Sequence, residues 1–396
     1  FKDYIIPKPN MTERTAKFKK LSHYLGKTLL VLLPVCVFSI ILFFGLSSKK
    51  EAATLNTTEP LITILCYHHV DFPRPTPYSV SSAQLNSHID ALEKAGFSFI
   101  SLKQLEDFYY KGTMVPSRSA VITFDDGNLN VYTAAYPLLQ KRKIPFALFV
   151  YGITNLGHKK YCATWAEVRE MADNGVIIGS HAYTHPYLTI PPAEVKTPAQ
   201  YDKWLDREVV FSKQWIEQKI GRTVDYFAVP FGAFDSKAYD KIKKSGYKLS
   251  FNVHGMNNNG LSDPFNLNRF VVMWYDSPRS ILAQALRRPI YFDMTYPNDL
   301  SRSIDAHPKV RFKLKNEAQY IKKSIQLRVS SFKWEPLYHN RDTDTFEEQL
   351  QLTKQHFYIA SVKAKDISGN DCLGNWLFLY NKQWPSFFPT ENIKAK

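Results

Sequence analysis

The sequence predicts an α/β protein: a closed or nearly closed βα barrel, preceded by one transmembrane helix and followed by a small all-β sandwich. Three observations carry this. Seven short apolar runs alternate with helix-like segments between residues 61 and 275, no residue from Thr28 to Ser48 is charged, and after about Ser301 a two-residue alternation replaces the helical rhythm. With 44% hydrophobic and 14% aromatic residues among 396, the chain can fill a core in two folded units.

The formal charge is +15, and residues 1–50 hold nine Lys/Arg against two Asp/Glu. The remaining excess is spread without a tight basic run or a reader motif, so no nucleic-acid partner is expected. The basic start is better explained by the apolar run next to it. LLVLLPVCVFSIILFFGL is eighteen nearly unbroken apolar residues, enough to cross most of a bilayer. The positive-inside rule keeps residues 1–27 cytoplasmic, makes 28–48 a single-pass anchor in the cytoplasmic membrane and sends the rest across as an extracytoplasmic portion. A cleaved signal peptide is the rival, disfavoured because no small-x-small site follows Leu46. Residues 49–60, KKEAATLNTTEP, read as a polar stalk.

The barrel is expected over residues 61–300. Its strands are LITILC (61–66), AVITF (120–124), FALFVY (146–151), VIIG (176–179), YFAV (226–229), KLSFNV (248–253) and RFVVMW (269–274). Seven strands in so short a span suit a barrel better than two small sheets, with a doubly wound sheet as the alternative. Thr164 and Glu167 form a capping-box pair before a helix that Gly175 follows. Trp204, Val209, Phe211 and Ile216 build the apolar side of a long helix that Gly221 stops, and Ser277 with Pro278 opens the helix SILAQALRR. In 301–383, Tyr358, Ala360, Val362 and Ala364 alternate, DISGND turns, and Trp376, Phe378 and Tyr380 alternate again: a hairpin. Residues 384–396 form a tail. Trp334, Trp376 and Trp384 fit either a glycan surface or a core. Cys66, Cys162 and Cys372 make no disulfide framework; a Cys66–Cys162 bridge and free buried thiols both stay open.

Parallel strands present their C-terminal ends on one face, where catalytic groups collect. Polar residues occupy those ends repeatedly: His68 and His69 in CYHHV, Asp125 and Asp126 in AVITFDDG, His181 and His185 in SHAYTHPYL. Adjacent carboxylates repel, so a cation would account for gathering them. Two imidazoles four apart with one carboxylate suit a divalent ion, Zn²⁺ first among transition metals, and leave a position open. The neighbouring carboxylate, ionised in that field, can then accept a proton from water.

TFDDG at 123–127, SHAYTH at 180–185 and AVPFG at 228–232 resemble, in order and spacing, the first three motifs of the NodB-homology polysaccharide deacetylases, carbohydrate esterase family four. The resemblance covers about residues 61–275. It implies a distorted (β/α)7 barrel and metal-dependent hydrolysis of N-acetyl groups on a glycan, with Asp125 as base and Asp126, His181 and His185 as metal ligands. Two departures are informative. Ala228 stands where typical members carry an arginine that holds the base, and Arg269 is the candidate replacement, with a structural salt bridge as the other reading. The usual terminal leucine-x-histidine motif is missing after residue 275; LCYHHV opens the domain instead. This is similar to the branch that deacetylates poly-β-1,6-N-acetylglucosamine in biofilm exopolysaccharide, which implies His68 as the general acid; His69 is expected to face the other way because neighbouring strand residues alternate sides. Peptidoglycan or chitin-type substrates, or a silent glycan-binding relative, are the alternatives. Pro230 and Phe231 are expected beside the substrate carbonyl, and Trp274 and Tyr275 along the cleft, with core packing as the other reading of the last two. Asp276 is a lesser candidate, for hydrogen-bonding a substrate hydroxyl or for orienting His68. VKAKDISGN resembles bacterial immunoglobulin-like modules, so the sandwich is expected to be immunoglobulin-like. Partners implied are an N-acetylglucosamine-containing polysaccharide, the membrane through the N-terminal helix, and exopolysaccharide synthesis or export machinery.

Overall fold

The computed structural model describes residues 59–153, 160–303, 307–330, 334–340, 344–352 and 357–380. The expected cytoplasmic segment, anchor, nearly all of the stalk and the C-terminal tail with Trp384 lie outside the described residues. Among the described residues no helix is long and apolar enough to cross a membrane.

All seven expected barrel strands are present: β1 (Leu61–Tyr67), β2 (Arg118–Phe124), β3 (Phe146–Val150), β4 (Ile177–Ser180), β5 (Tyr226–Ala228), β6 (Leu249–Phe251) and β7 (Phe270–Val271). They are ordered β7-β1-β2-β3-β4-β5-β6, all parallel, with the short strand Ser98–Phe99 added beside β2. The strands are apolar on both faces because helices cover the outside and side chains fill the inside, as parallel sheets require. The edges nearly meet: an isolated bridge joins Phe251 of β6 to Leu267, just ahead of β7. The sheet is a partly open barrel, and its strand ends lie on one face.

Helix boundaries follow the punctuation in the sequence. Thr164 and Glu167 make the capping box of α4 (Trp165–Asp173), and Ser277 caps α8 (Pro278–Ala285), whose Ile281 and Ala285 enter the main core. The long helix is interrupted. It runs as α5 (Pro198–Leu205), a π-helical stretch Asp206–Phe211, and α6 (Ser212–Ile220), ended by Gly221 in the left-handed region. The wider π turn changes the phase, so Trp204, Val209 and Ile216 are buried as expected while Phe211 is 41% exposed. Phe211 instead packs edge-on against the Tyr183 ring.

Beyond α8 the regular elements among the described residues are strands and two short 3₁₀ turns. β8 (Arg288–Pro289), β10 (Ser301–Ser303), β12 (Gln326–Val329), β13 (Glu335–Pro336), β16 (Phe357–Lys365) and β17 (Asp371–Tyr380) form one sheet; β9 (Phe292–Tyr296), β11 (Lys309–Leu314), β14 (Tyr338–Asn340) and β15 (Thr345–Gln349) form another. The expected hairpin is β16–β17, paired from Phe357↔Leu379 to Lys365↔Asp371. These strands begin at Arg288, inside the span expected for the barrel. β17 is buried on both faces: Trp376, Phe378 and Tyr380 pack toward the second sheet, and Leu377 and Leu379 join the barrel's core. The described residues from Pro60 onward accordingly form one compact unit. Trp376 is core, 2% exposed, with its indole N–H on the Pro297 carbonyl. Trp334 lies under Arg328 and Lys363, 4.6 and 4.5 Å from its ring centroid. Cys66, Cys162 and Cys372 are free and buried.

Gly179 on β4 lies against the Phe149 ring; a Cβ there would lie 2.4 Å from that ring and 3.1 Å from the Tyr226 carbonyl. Gly179→Ala is therefore expected to cost about 1–3 kcal/mol, read as a lower denaturant midpoint with unchanged slope.

Candidate active site

Asp125 ends β2 with its backbone N–H on the Tyr67 carbonyl of β1, which turns its side chain into the mouth of the barrel. It is 2% exposed, and Arg269 meets it as a fork: Nη1 to Oδ1 and Nη2 to Oδ2, both 2.7 Å. Arg269 is itself fully buried, held by the Asn252 carbonyl through Nε (3.0 Å) and by Thr123 Oγ1 (3.2 Å), with Phe149 and Phe251 rings flanking the guanidinium. Burial alone would raise the carboxyl's pKa; the guanidinium outweighs it and holds Asp125 well below the usual carboxylate range. Cys66, two residues before His68 on β1, donates its thiol to Asp125 Oδ2 at 3.3 Å. Arg269 thus lies where the base could be supported, and Ala228, at the place of the missing arginine, contributes its backbone instead.

That contribution goes to the neighbouring imidazole. His181 Nδ1 lies 2.7 Å from the Ala228 carbonyl, which can only accept, so the ring proton is on Nδ1 and Nε2 is left as an acceptor. His185 Nε2 is 3.2 Å from His181 Nε2, and Asp126 Oδ1 is 3.4 Å from His185 Nε2 and 3.7 Å from His181 Nε2. Asp126 Oδ1 is buried with no hydrogen-bond partner. Burial lowers both imidazoles, His181 to about 3, and raises Asp126. Two neutral nitrogens and an orphaned carboxylate oxygen converging on one point match the donor set and spacing of a transition-metal centre. The backbone is bent to achieve it: Asp126, Ala182 and His185 all have left-handed φ (74°, 63° and 59°), at roughly 1–3 kcal/mol each. Glu208, from the π-helical stretch, holds the histidine loop by accepting from the Tyr183 and Thr184 N–H groups (3.2 and 2.8 Å) and the Thr184 hydroxyl (2.9 Å). In the sequence Glu208 carries no signal of this role and reads as one more acid on a helix surface.

His68 belongs with Cys66 and Asp125 in a second group of convergent donors, and its buried Nδ1 has no hydrogen-bond partner. Its ring lies 5.1 Å from that of Tyr78. His69 points elsewhere, stacked on Phe72 at 4.3 Å. Phe231 has φ 58°, and its ring touches His185 (4.7 Å) and stacks on Tyr187 (3.9 Å). Pro230 is buried and has no N–H; Gly232 and Ala233 spend theirs on the Val229 and Pro230 carbonyls, so a donor from this corner would be Phe231. Trp274 and Tyr275 are 59% and 63% exposed, edge to face, which rules out core packing; the Trp274 N–H on the Pro77 carbonyl ties them to the loop carrying Tyr78. Asp276 does not reach His68. Its carboxylate is used by the Met273 N–H and the Ser280 hydroxyl, because it organises the start of α8. A third donor group, Glu317, His339 and Asp344, has its acids paired to Lys322 and Lys313. A cleft of about 490 Å³ lined by Asn266, Tyr291, Asp299 and Asn375 contains none of the residues of the His–Asp cluster.

Residues 113–250 match the family model for polysaccharide deacetylase. Over 181 residues the chain is 28% identical to the poly-beta-1,6-N-acetyl-D-glucosamine N-deacetylase of Staphylococcus aureus (strain MSSA476), covering 44% of this chain and 61% of that one. It is 24% identical over 207 residues to the protein of the same name from Escherichia coli (strain K12), covering 44% of this chain and only 31% of that relative. The structure of IcaB from Ammonifex degensii superposes with a TM-score of 0.50 at 26% identity, over 57% of this chain and 97% of that one. The family match spans β2 to β6, the stretch in which the TFDDG and HxxxH segments meet at one rim, so this part of the chain is similar in sequence and fold to the polysaccharide deacetylases.

Proposed function

We propose that this protein removes N-acetyl groups from an extracytoplasmic N-acetylglucosamine polymer, poly-β-1,6-N-acetylglucosamine first, using one divalent metal ion, Zn²⁺ first. One observation carries the chemistry: a buried carboxylate kept ionised by a two-pronged guanidinium, beside two imidazole Nε2 atoms 3.2 Å apart and an aspartate oxygen with no hydrogen-bond partner. Asp126, His181 and His185 would hold the ion. When bound it would polarise the acetamide carbonyl and acidify water, bringing a nucleophile within reach at neutral pH. Asp125 takes the proton from the attacking water, and its ionised state, secured by Arg269, makes it available over a wide pH range. His68, on the other wall beside Asp125, hands a proton to the departing nitrogen, without which the amine is a poor leaving group. The Phe231 N–H would donate to the carbonyl oxygen as negative charge develops on it.

Trp274, Tyr275 and Tyr78 form the exposed aromatic rim on the His68 side, suited to stacking on sugar faces. The choice of polymer rests on the names of the two sequence relatives and on the placement of the acid at the start of the domain. Residues 28–48, read as an uncleaved anchor, would tether the enzyme to the cytoplasmic membrane with its barrel outside, beside exopolysaccharide synthesis or export machinery. The strands after Arg288 are taken as an immunoglobulin-like sandwich.

The deciding assay is acetate release by metal-loaded protein from a panel of acetylated glycans. Release from the β-1,6 polymer ahead of chitin and peptidoglycan fragments is expected; metal binding without release from any of them would make this a glycan-binding protein. Asp126→Ala should abolish metal binding, whereas Asp125→Asn should keep the metal and lose about 10²–10⁴ in kcat. Equal metal loss in both would overturn this division of roles. Arg269→Lys keeps a charge but loses the fork, so burial regains weight and the Asp125 carboxyl titrates at higher pH. Because the base works only when ionised, the acid limb of kcat/KM should then move to higher pH; an unmoved limb would remove Arg269 from the mechanism.

A further inference from the structure

The loop that carries His185 and the corner that carries Phe231 are held together from behind by a residue that comes from neither. Arg302, on β10, is 6% exposed and makes a buried ion pair with Asp235, Nε to Oδ2 at 2.8 Å and Nη2 to Oδ2 at 2.5 Å. The same guanidinium reaches the Thr189 carbonyl, 113 residues away in the chain, at 3.4 Å, and the Tyr201 hydroxyl at 3.4 Å. Tyr201 donates in turn to the Leu188 carbonyl at 2.8 Å. Asp235 keeps its other oxygen for the Ala238 N–H, capping α7 (Ser236–Lys244).

The placement of these contacts gives them a meaning beyond packing. Leu188 and Thr189 close the loop that began at His181, and Asp235 lies four residues past Phe231. Between these two anchor points the loops touch through the His185–Phe231 and Phe231–Tyr187 ring contacts, and Phe357 of β16 backs Tyr187 at 6.2 Å. His185 has a left-handed backbone, a conformation that persists only where surroundings enforce it. We propose that Arg302 is a positioning residue for the metal centre: a strand of the C-terminal β region fixes the spacing between the histidine loop and the Phe231 corner, and so sets where His185 Nε2 stands relative to His181 and Asp126.

This rests on the metal reading given above, and the experiment separates the two. Removing Arg302 alone would strand a buried carboxylate, so the informative variant is the double one, Arg302→Met with Asp235→Asn, which deletes both charges and leaves an acceptor for the Ala238 N–H. Zn²⁺ affinity is measured by chelator competition on the full chain, alongside the thermal midpoint and kcat and KM at saturating metal. The double variant is expected to bind Zn²⁺ about tenfold or more weakly, the usual cost of losing a group that orients a ligand. Saturating metal should restore much of kcat, and Arg302→Lys should recover part of the affinity. A double variant with a lowered midpoint but the parental Zn²⁺ affinity would overturn the inference and leave a purely structural ion pair. If the unaltered protein binds no Zn²⁺, the metal centre itself fails, and this inference with it.

Discussion

A buried carboxylate facing two imidazoles has to remain charged inside a hydrophobic barrel, and the pairing of Arg269 with Asp125 is what makes that tenable. Desolvation pushes the acid toward its neutral form; a guanidinium at 2.7 Å on both oxygens reverses the balance. The pair then dictates much around it. Arg269 must be delivered by β7, so the gap between β6 and β1 is closed by the chain that carries it, and its flat faces need apolar rings, which Phe149 and Phe251 supply from β3 and β6. Gly179 has no side chain because the Phe149 ring occupies that space.

The strand rhythm and the two acid–histidine segments are legible because each is local: an apolar run ending in a polar residue says both where a strand stops and which face its end serves. His68 can be separated from His69 by the same alternation. What the sequence hides depends on contacts between distant segments. Glu208 looks like one more helix-surface acid until the histidine loop is laid over it, and Asp235 looks like an ordinary helix cap until Arg302 arrives from β10. A period of 3.6 misplaces Phe211 because it assumes an unbroken α-helix, and the π-helical stretch that brings Glu208 inward leaves Phe211, its last residue, half-exposed. Asp276 sits next to the aromatic rim, but its carboxylate serves the Met273 N–H and the Ser280 hydroxyl and its carbonyl meets His88, so it does not orient His68.

The strands after α8 illustrate a different limit. Alternation in Trp376, Phe378 and Tyr380 announces a strand with one buried face, but the residues between them are Leu377 and Leu379, and both faces are covered. A strand of that kind belongs to two cores at once, so a boundary drawn from the change of rhythm does not mark a change of packing. The barrel and the β region share side chains.

The imidazole of His181 is oriented by the main-chain oxygen of residue 228, not by any side chain. An acceptor of that sort survives every amino-acid replacement that leaves the strand in place. The ligand is thereby insulated from drift at this position, so alanine can stand there without cost to its ring orientation, while the duty of steadying the base is free to migrate to another part of the chain.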